Sequence, residues 1–331
     1  MKNVAVIGFG FMGKTHVINI LKNRSLKLVA IVDKHPEATE ESISGESGNF
    51  STGQIDSELL KDVNRYSAFD DCLKSESLDA VHICVHTSLH YDLAKKALNS
   101  GLHVLIEKPF CLDVSQGEEL ISLAENKGLI LMVAHVLRFV SPYLKLKNWI
   151  DTEEYGKLKF LSLSRFSGIP LWGEWRNKQK EFGSSGGALF DLLIHDIDFA
   201  LYNFGVPDKI TSYYLPGKLS NYDYINALWH YPAGNFNVKI EGGNIFHSNF
   251  PFQSCFFGQF EKASVRYSTD FPDSITVADD LDKKEIHPEN TSDAYYDEIE
   301  YFANCILENK KPLKCMPESA LETIKICYKH L

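Results

Sequence analysis

The chain has 331 residues, 44% of them hydrophobic and 24% charged, with a formal net charge of −10, which suits two domains of ordinary globular composition. The acidic balance offers no basic surface that would release counterions from a nucleic acid, so no nucleic-acid partner is expected. No run approaches the roughly 18 apolar residues of a membrane helix, and with a strand pattern beginning at Asn3 no signal peptide is expected.

Residues 3–7 read as a buried strand, followed by Gly8-Phe9-Gly10-Phe11-Met12-Gly13 and a helical stretch over 14–22. A second apolar strand at 26–32 ends on Asp33. Residues 37–57, rich in Ser, Gly and Glu, read as a solvated excursion. A short strand-turn-helix at 66–75, a strand at 78–85, a helix at 89–99 ended by Ser100-Gly101, and a strand at 102–106 come next. A helix at 114–127 stops at Gly128, and 129–134 is again apolar and extended. Strands alternating with helices predict βαβ units and a parallel sheet. Beyond residue 140 the texture changes. A helix is predicted over 142–149, and extended patterns fall at 158–164, 210–215, 227–231, 236–241 and 255–258, which suits an antiparallel or mixed sheet. Helices are predicted at 188–204, ending at Gly205, at 293–309 with Pro312 beyond, and from Pro317 onward.

The seven cysteines, at 72, 84, 111, 255, 305, 315 and 327, are odd in number and form no C-x-x-C. A reduced, cytoplasmic compartment is the expectation, and Cys84 reads as a small hydrophobe within a strand. His86 and His90 lie four apart, but with Cys84 they lack a further ligand of recognisable spacing, so no metal is expected.

The glycine-rich segment follows a strand, opens a helix, and is followed 20 residues after Gly13 by Asp33 at the end of the next strand. That is the context a dinucleotide fingerprint requires. Gly8 permits the tight turn, Gly10 lets a pyrophosphate approach the backbone, and Gly13 allows close helix–strand packing. The helix amino terminus offers its positive end to the phosphates. Asp33 would accept hydrogen bonds from ribose hydroxyls, which favours NAD. Lys34 beside it keeps NADP open. Lys108, in Glu107-Lys108-Pro109, follows the apolar run 103–106 and so stands where a buried strand ends. In open α/β sheets ligands bind beyond such ends, although a surface lysine in a turn fits the same three residues. Asp191 and His195 are four apart and share a helix face. Histidine titrates near neutrality and a carboxylate can hold it, yet a plain surface pair explains this spacing equally well. Asp196 and Asp198 read as a solvated acidic edge or a helix–helix hydrogen bond.

The motifs G-F-G-F-M-G, H-T-S-L-H at 86–90, E-K-P at 107–109, S-G-G-A-L-F-D-L-L-I-H-D-I-D from 185, and D-A-Y-Y-D-E-I-E-Y-F-A-N-C-I from 293 occur in one order over nearly the whole chain. Taken together, the chain resembles the Gfo/Idh/MocA oxidoreductases. The resemblance implies an α/β protein: a Rossmann doubly wound parallel sheet over 1–135, then a substrate-binding and oligomerisation α+β domain over 136–331 with a large open, mostly antiparallel sheet. It implies an NAD(P)-dependent dehydrogenase acting on a CH–OH group of a sugar, cyclitol or related polyol, as a homodimer or homotetramer through that sheet. By resemblance Lys108, Asp191 and His195 are catalytic, and the Lys108–Pro109 peptide is cis. Gly8, Phe9, Gly10, Phe11, Met12, Gly13, Asp33, Lys34, Thr87, His90, Glu107, Lys108, Trp175 and Arg176 are expected at the cofactor. Lys108, Arg138, Trp172, Asp191, His195 and Tyr295 are expected at the substrate. Ser185, where the family has a further glycine, and His135-Val136, before Arg138, depart from the pattern near the expected substrate mouth. Alternatives of the same architecture are an enzyme that uses NAD transiently for glycoside cleavage or elimination, a non-catalytic NAD(P)-sensing regulator, and a biliverdin-reductase-like pigment reductase. Retention of Lys108 and His195 weighs against the regulator, and the D-x-x-x-H pair weighs against the pigment reductase.

Overall fold

The computed structural model describes residues 1–35, 55–169, 186–288 and 293–331. These form two compact units, Met1–His135 with Asp293–Leu321, and Val136–Ser292 with Glu322–Leu331.

The first unit is built on six parallel strands, β1 (Lys2–Ile7), β2 (Leu26–Val32), β3 (Asn64–Tyr66), β4 (Ala80–Ile83), β5 (His103–Glu107) and β6 (Leu131–Ala134), in the order β3-β2-β1-β4-β5-β6. The strands are near-continuous runs of Val, Ile, Leu and Ala because both faces are covered. Helices α1 (Phe11–Lys22), α2 (Phe69–Ser75), α3 (His90–Asn99) and α4 (Val114–Lys127) connect them. On one face Ile7, Val32, Ile83 and Ile106 pack with Ala94, Leu98, Leu120 and Ala124 from α3 and α4. Asp113 caps α4 by accepting the Ser115 amide at 2.8 Å, and Gly128 ends it with a left-handed φ of 64°. The strand order reverses between β1 and β4, so the crevice where this sheet type binds ligands lies beyond Ile7 and Ile83.

The second unit carries α5 (Ser141–Thr152), β7 (Leu158–Gly168), a π-helical segment Leu189–Leu193 that leads into α6 (Ile194–Phe204), and β8 (Lys209–Leu215), β9 (Tyr224–Tyr231), β10 (Phe236–Phe246), β11 (Gln253–Phe260), β12 (Ser264–Ser268), β13 (Ile275–Ala278) and β14 (Lys283–Ile286). The eight strands form one sheet, β14-β13-β12-β11-β7-β10-β9-β8, antiparallel except where β7 and β10 pair in parallel. Alternate residues Ile225, Ala227 and Trp229 of β9 are fully buried, which marks the covered face.

Helix α7 (Ala294–Glu308), capped by Asp293 and ended by Asn309 at φ 50°, belongs with the first unit, where it packs on α1. The expectation of a single second domain over 136–331 is corrected here. The apolar face of α7 announces that it must be covered, but not by which sheet. The closing helix α8 (Pro317–Tyr328) begins in the first unit and ends in the second. Strands β12, β13 and β14 were not predicted. They are four or five residues long, too short to carry a firm periodic signal, and Lys283, Lys284 and Glu285 of β14 are all exposed. No helix among the described residues is long and apolar enough to cross a membrane.

Candidate functional site

The glycine loop closes the gap between β1 and β4, and its three glycines are required for three different reasons. Gly8 has φ +89°, and a Cβ there would stand 2.6 Å from the Cys84 carbonyl oxygen, so the loops after β1 and β4 touch through it. Gly13 lies in the first turn of α1, and a Cβ there would sit 1.9 Å from the Gly8 carbonyl oxygen. Gly10 is exposed at φ −75°, and a Cβ would meet nothing within 4 Å. An open cradle at the middle glycine is what a pyrophosphate needs to reach the backbone. The amino terminus of α1 has no side-chain cap and no acidic residue in its first turn, so its amide groups remain suited to an anion. These residues fit a dinucleotide.

Asp33, one residue beyond β2, accepts the Phe9 amide on Oδ2 at 2.8 Å and the His35 amide on Oδ1 at 2.9 Å. Each carboxylate oxygen retains capacity for a further hydrogen bond. Phe9 is buried, with the Arg65 guanidinium 5.4 Å from its ring centroid. Phe11 and Met12 open α1, half-buried, and Lys34 is exposed. Arg65, in the middle of β3, was missed from the sequence because that strand is only three residues long.

Lys108 is half-buried directly after β5, and the Lys108–Pro109 bond is cis, as expected. Its amide donates to Glu107 Oε2 at 3.1 Å. Thr87 is half-buried in the turn after β4. His90, expected along the cofactor, is instead buried between two backbone segments, with Nδ1 2.9 Å from the Pro109 oxygen and Nε2 3.0 Å from the Val85 oxygen. Burial holds its pKa below the usual histidine value. The neutral ring has one N–H and therefore donates to one of these carbonyls at a time. His90 thus clasps the loop after β4 to the cis-proline turn after β5. Tyr295 is half-buried at the start of α7, its amide donating to Asp293.

In the second unit, Asp191 lies in the π-helical segment and His195 in the first turn of α6, both half-buried. A single π turn within a helix often marks a functional position, and nothing in the residue types distinguishes it from an α turn. The neighbouring aspartates are not a solvated edge. Asp196 is buried against Arg165 of β7, Nε to Oδ2 2.7 Å. Asp198 takes the Arg138 Nε at 2.8 Å and the Thr323 hydroxyl of α8 at 3.1 Å, the latter a helix–helix hydrogen bond of the kind expected. Arg138, expected at the substrate, is 2% exposed, forks onto Asp198, and lies 4.5 Å over the Tyr202 ring. A guanidinium held on both sides in this way serves packing. Trp172, Trp175 and Arg176 fall outside the described residues.

A parallel doubly wound sheet with an open glycine cradle at its switch point, joined to a unit on a mostly antiparallel sheet, defines a Rossmann-type dinucleotide-binding protein. Residues 2–135 match the GFO_IDH_MocA group described as "Oxidoreductase family, NAD-binding Rossmann fold", and residues 143–240 match its "GFO/IDH/MocA C-terminal domain". The chain belongs to the Gfo/Idh/MocA oxidoreductase family. It is similar to an oxidoreductase of Escherichia coli (strain K12) called YdgJ, 29% identical over 69% of this chain and 62% of the relative. It is also similar to two enzymes of Bacillus subtilis (strain 168). One is scyllo-inositol 2-dehydrogenase (NAD(+)), 25% identical over 93% of this chain and 87% of the relative. The other is scyllo-inositol 2-dehydrogenase (NADP(+)) IolW, 27% identical over 55% and 50%. The matches to YdgJ and IolW thus span less than two thirds of those relatives' length. Among solved structures, UDP-N-acetylglucosamine 3-dehydrogenase GnnA from Acidithiobacillus ferrooxidans superposes with a TM-score of 0.77 at 21% identity, covering 99% of this chain and 96% of that one. At that identity the match speaks for the fold.

Proposed function

We propose that the protein is an NAD(P)-dependent dehydrogenase that oxidises a secondary hydroxyl of a sugar, cyclitol or related polyol. The observation that carries this reading is Lys108, half-buried beyond the carboxyl end of β5, on the same sheet edge as the open cradle at Gly10. Main-chain amides at the start of α1 would hold the pyrophosphate and Asp33 the ribose hydroxyls, a carboxylate that favours NAD over NADP. Bound NAD would supply the hydride acceptor. Thr87 is assigned to its nicotinamide end.

In this reading Lys108 donates a hydrogen bond to the reacting hydroxyl oxygen and stabilises the negative charge that develops there. His195 accepts the hydroxyl proton, and Asp191 orients the imidazole and favours its charged form. The products would be a ketone, with the former hydroxyl proton on His195 and the carbon-bound hydrogen on the bound nicotinamide. Tyr295 and Trp172 are assigned to the substrate. Similarity to inositol dehydrogenases of both cofactor types supports the polyol class. We assign the exposed face of the eight-stranded sheet to a homodimer or homotetramer, since Phe160 and Phe257 on neighbouring strands are 36% and 47% exposed there; light scattering of the purified chain tests it.

The purified protein, mixed with NAD or NADP and a panel of sugars and cyclitols, should accumulate reduced nicotinamide with at least one compound. Lys108→Ala should abolish that signal. Absence of reduced cofactor across the panel would refute the reading.

A further inference from the structure

We infer that His16 and His82, two buried histidines outside the reaction above, act as positioning residues for Lys108 through Glu107. The inference rests on the reading of Lys108 as the group that contacts the reacting hydroxyl.

The three side chains form an unbroken path. His16 lies on α1 one turn beyond the glycine loop, and His82 lies in β4; both are 0% exposed. His16 Nε2 is 3.0 Å from Glu107 Oε1, and its Nδ1 is 3.0 Å from His82 Nδ1. The second Glu107 oxygen accepts the Lys108 amide. His82 stands edge-on to Phe302 of α7, ring centroids 5.5 Å apart, and its Nε2 has no hydrogen-bond partner among the described residues. Glu298 of α7 and Cys84 beyond β4 are also buried, the Cys84 thiol being pushed up by burial and then by the Glu107 and Glu298 carboxylates.

Protonation follows from the partners. A carboxylate oxygen suits an N–H donor at His16 Nε2. The two facing Nδ1 atoms share one proton. Burial, followed by the proximity of His16, holds the pKa of His82 well below the ordinary value, so it is neutral. A neutral His82 either donates its Nδ1–H to His16 or accepts the His16 proton there, and the contact is made in both cases. Apolar residues would fill this space without any hydrogen bond to satisfy. What the polar path adds is a fixed orientation of Glu107, and through it of the backbone that carries Lys108. A misplacement of about 1 Å at a reacting group can cost roughly a hundredfold in rate.

The test uses the full chain with NAD and the best panel substrate. His16→Leu should lower kcat about tenfold or more while the KM for NAD stays within about threefold, because the loss is one of orientation. His16→Gln, whose side-chain nitrogen can reach Glu107, should recover most of the loss. Imidazole 15N spectra of the wild type should show His82 neutral, with its Nδ1 in a hydrogen bond. Unchanged kcat in His16→Leu, no recovery in His16→Gln, or a His82 Nδ1 without a hydrogen bond would overturn the inference. A wild type that oxidises no panel compound would instead overturn the polyol reading and the positioning role with it, and the imidazole spectrum would still decide whether the path exists.

Discussion

Replacing Gly10 and Gly13 by alanine separates what the glycine loop does for the fold from what it does for the ligand. At Gly13 the added methyl would lie 1.9 Å from the Gly8 carbonyl oxygen and 2.9 Å from its carbon. Those atoms are backbone, so the loop and the first turn of α1 must separate by more than an ångström. Overpacking of this kind costs about 1–3 kcal/mol and sometimes more. At Gly10 the methyl meets nothing within 4 Å and φ is −75°, ordinary for alanine. Removing a glycine at a compatible position stabilises by about 0.4–1 kcal/mol through the unfolded chain. Gly13→Ala should therefore unfold at lower denaturant, whereas Gly10→Ala should be as stable as the wild type or slightly more so. Cofactor binding should fall at least tenfold in Gly10→Ala, because the methyl fills the cradle assigned to the pyrophosphate. Urea unfolding and NADH fluorescence titration read the two effects apart. Gly10→Ala that binds NADH as tightly as the wild type would refute the reasoning.

Two further predictions concern the second unit. Arg138→Ala leaves Asp198 buried without its guanidinium, and breaking a buried pair costs about 3–5 kcal/mol; a loss below about 1 kcal/mol by urea unfolding would show that the pair is solvated. His330 is buried, accepts the Trp229 indole N–H on Nε2 at 2.9 Å, and holds its Nδ1 2.9 Å from the Ile326 carbonyl oxygen. Burial lowers its pKa to about 4 from 6.5. Between those values the unfolded chain binds more protons than the folded one, so stability is full above pH 6.5 and falls as pH drops toward 4. At ~1.36 kcal/mol per pH unit the loss is about 3 kcal/mol. His330→Gln should flatten that part of the stability-against-pH curve, and an unchanged slope would exclude His330 as its source.

The Rossmann unit was legible because its strands are buried on both faces and read as apolar runs, and because Gly8, Gly10, Gly13 and Asp33 are close in sequence. Spacing alone gave no hint that His16 and His82, 66 residues apart, meet. A lone histidine in a strand of Ala, Val and Ile carries no periodic signal, and only the fold brings it to α1. His90 and Arg138 were expected at ligands on motif position. The motif fixed their place in the chain, while their partners, the Pro109 and Val85 carbonyls and Asp198, lie on other elements and became visible only in three dimensions. The π turn at Asp191 was hidden for a related reason, since the same residues fit an α-helix equally well.

The stoichiometry of reduced cofactor tests the central claim most directly. The best panel substrate is followed to completion with limiting NAD by wild type, Lys108→Ala and His195→Ala, and both ketone and NADH are counted. One NADH per ketone is predicted for the wild type. Each variant should turn over roughly a hundredfold or more slowly, with NADH affinity within about threefold of the wild type. Conversion of substrate without net NADH would contradict the claim, and so would a Lys108→Ala protein that turns over at the wild-type rate.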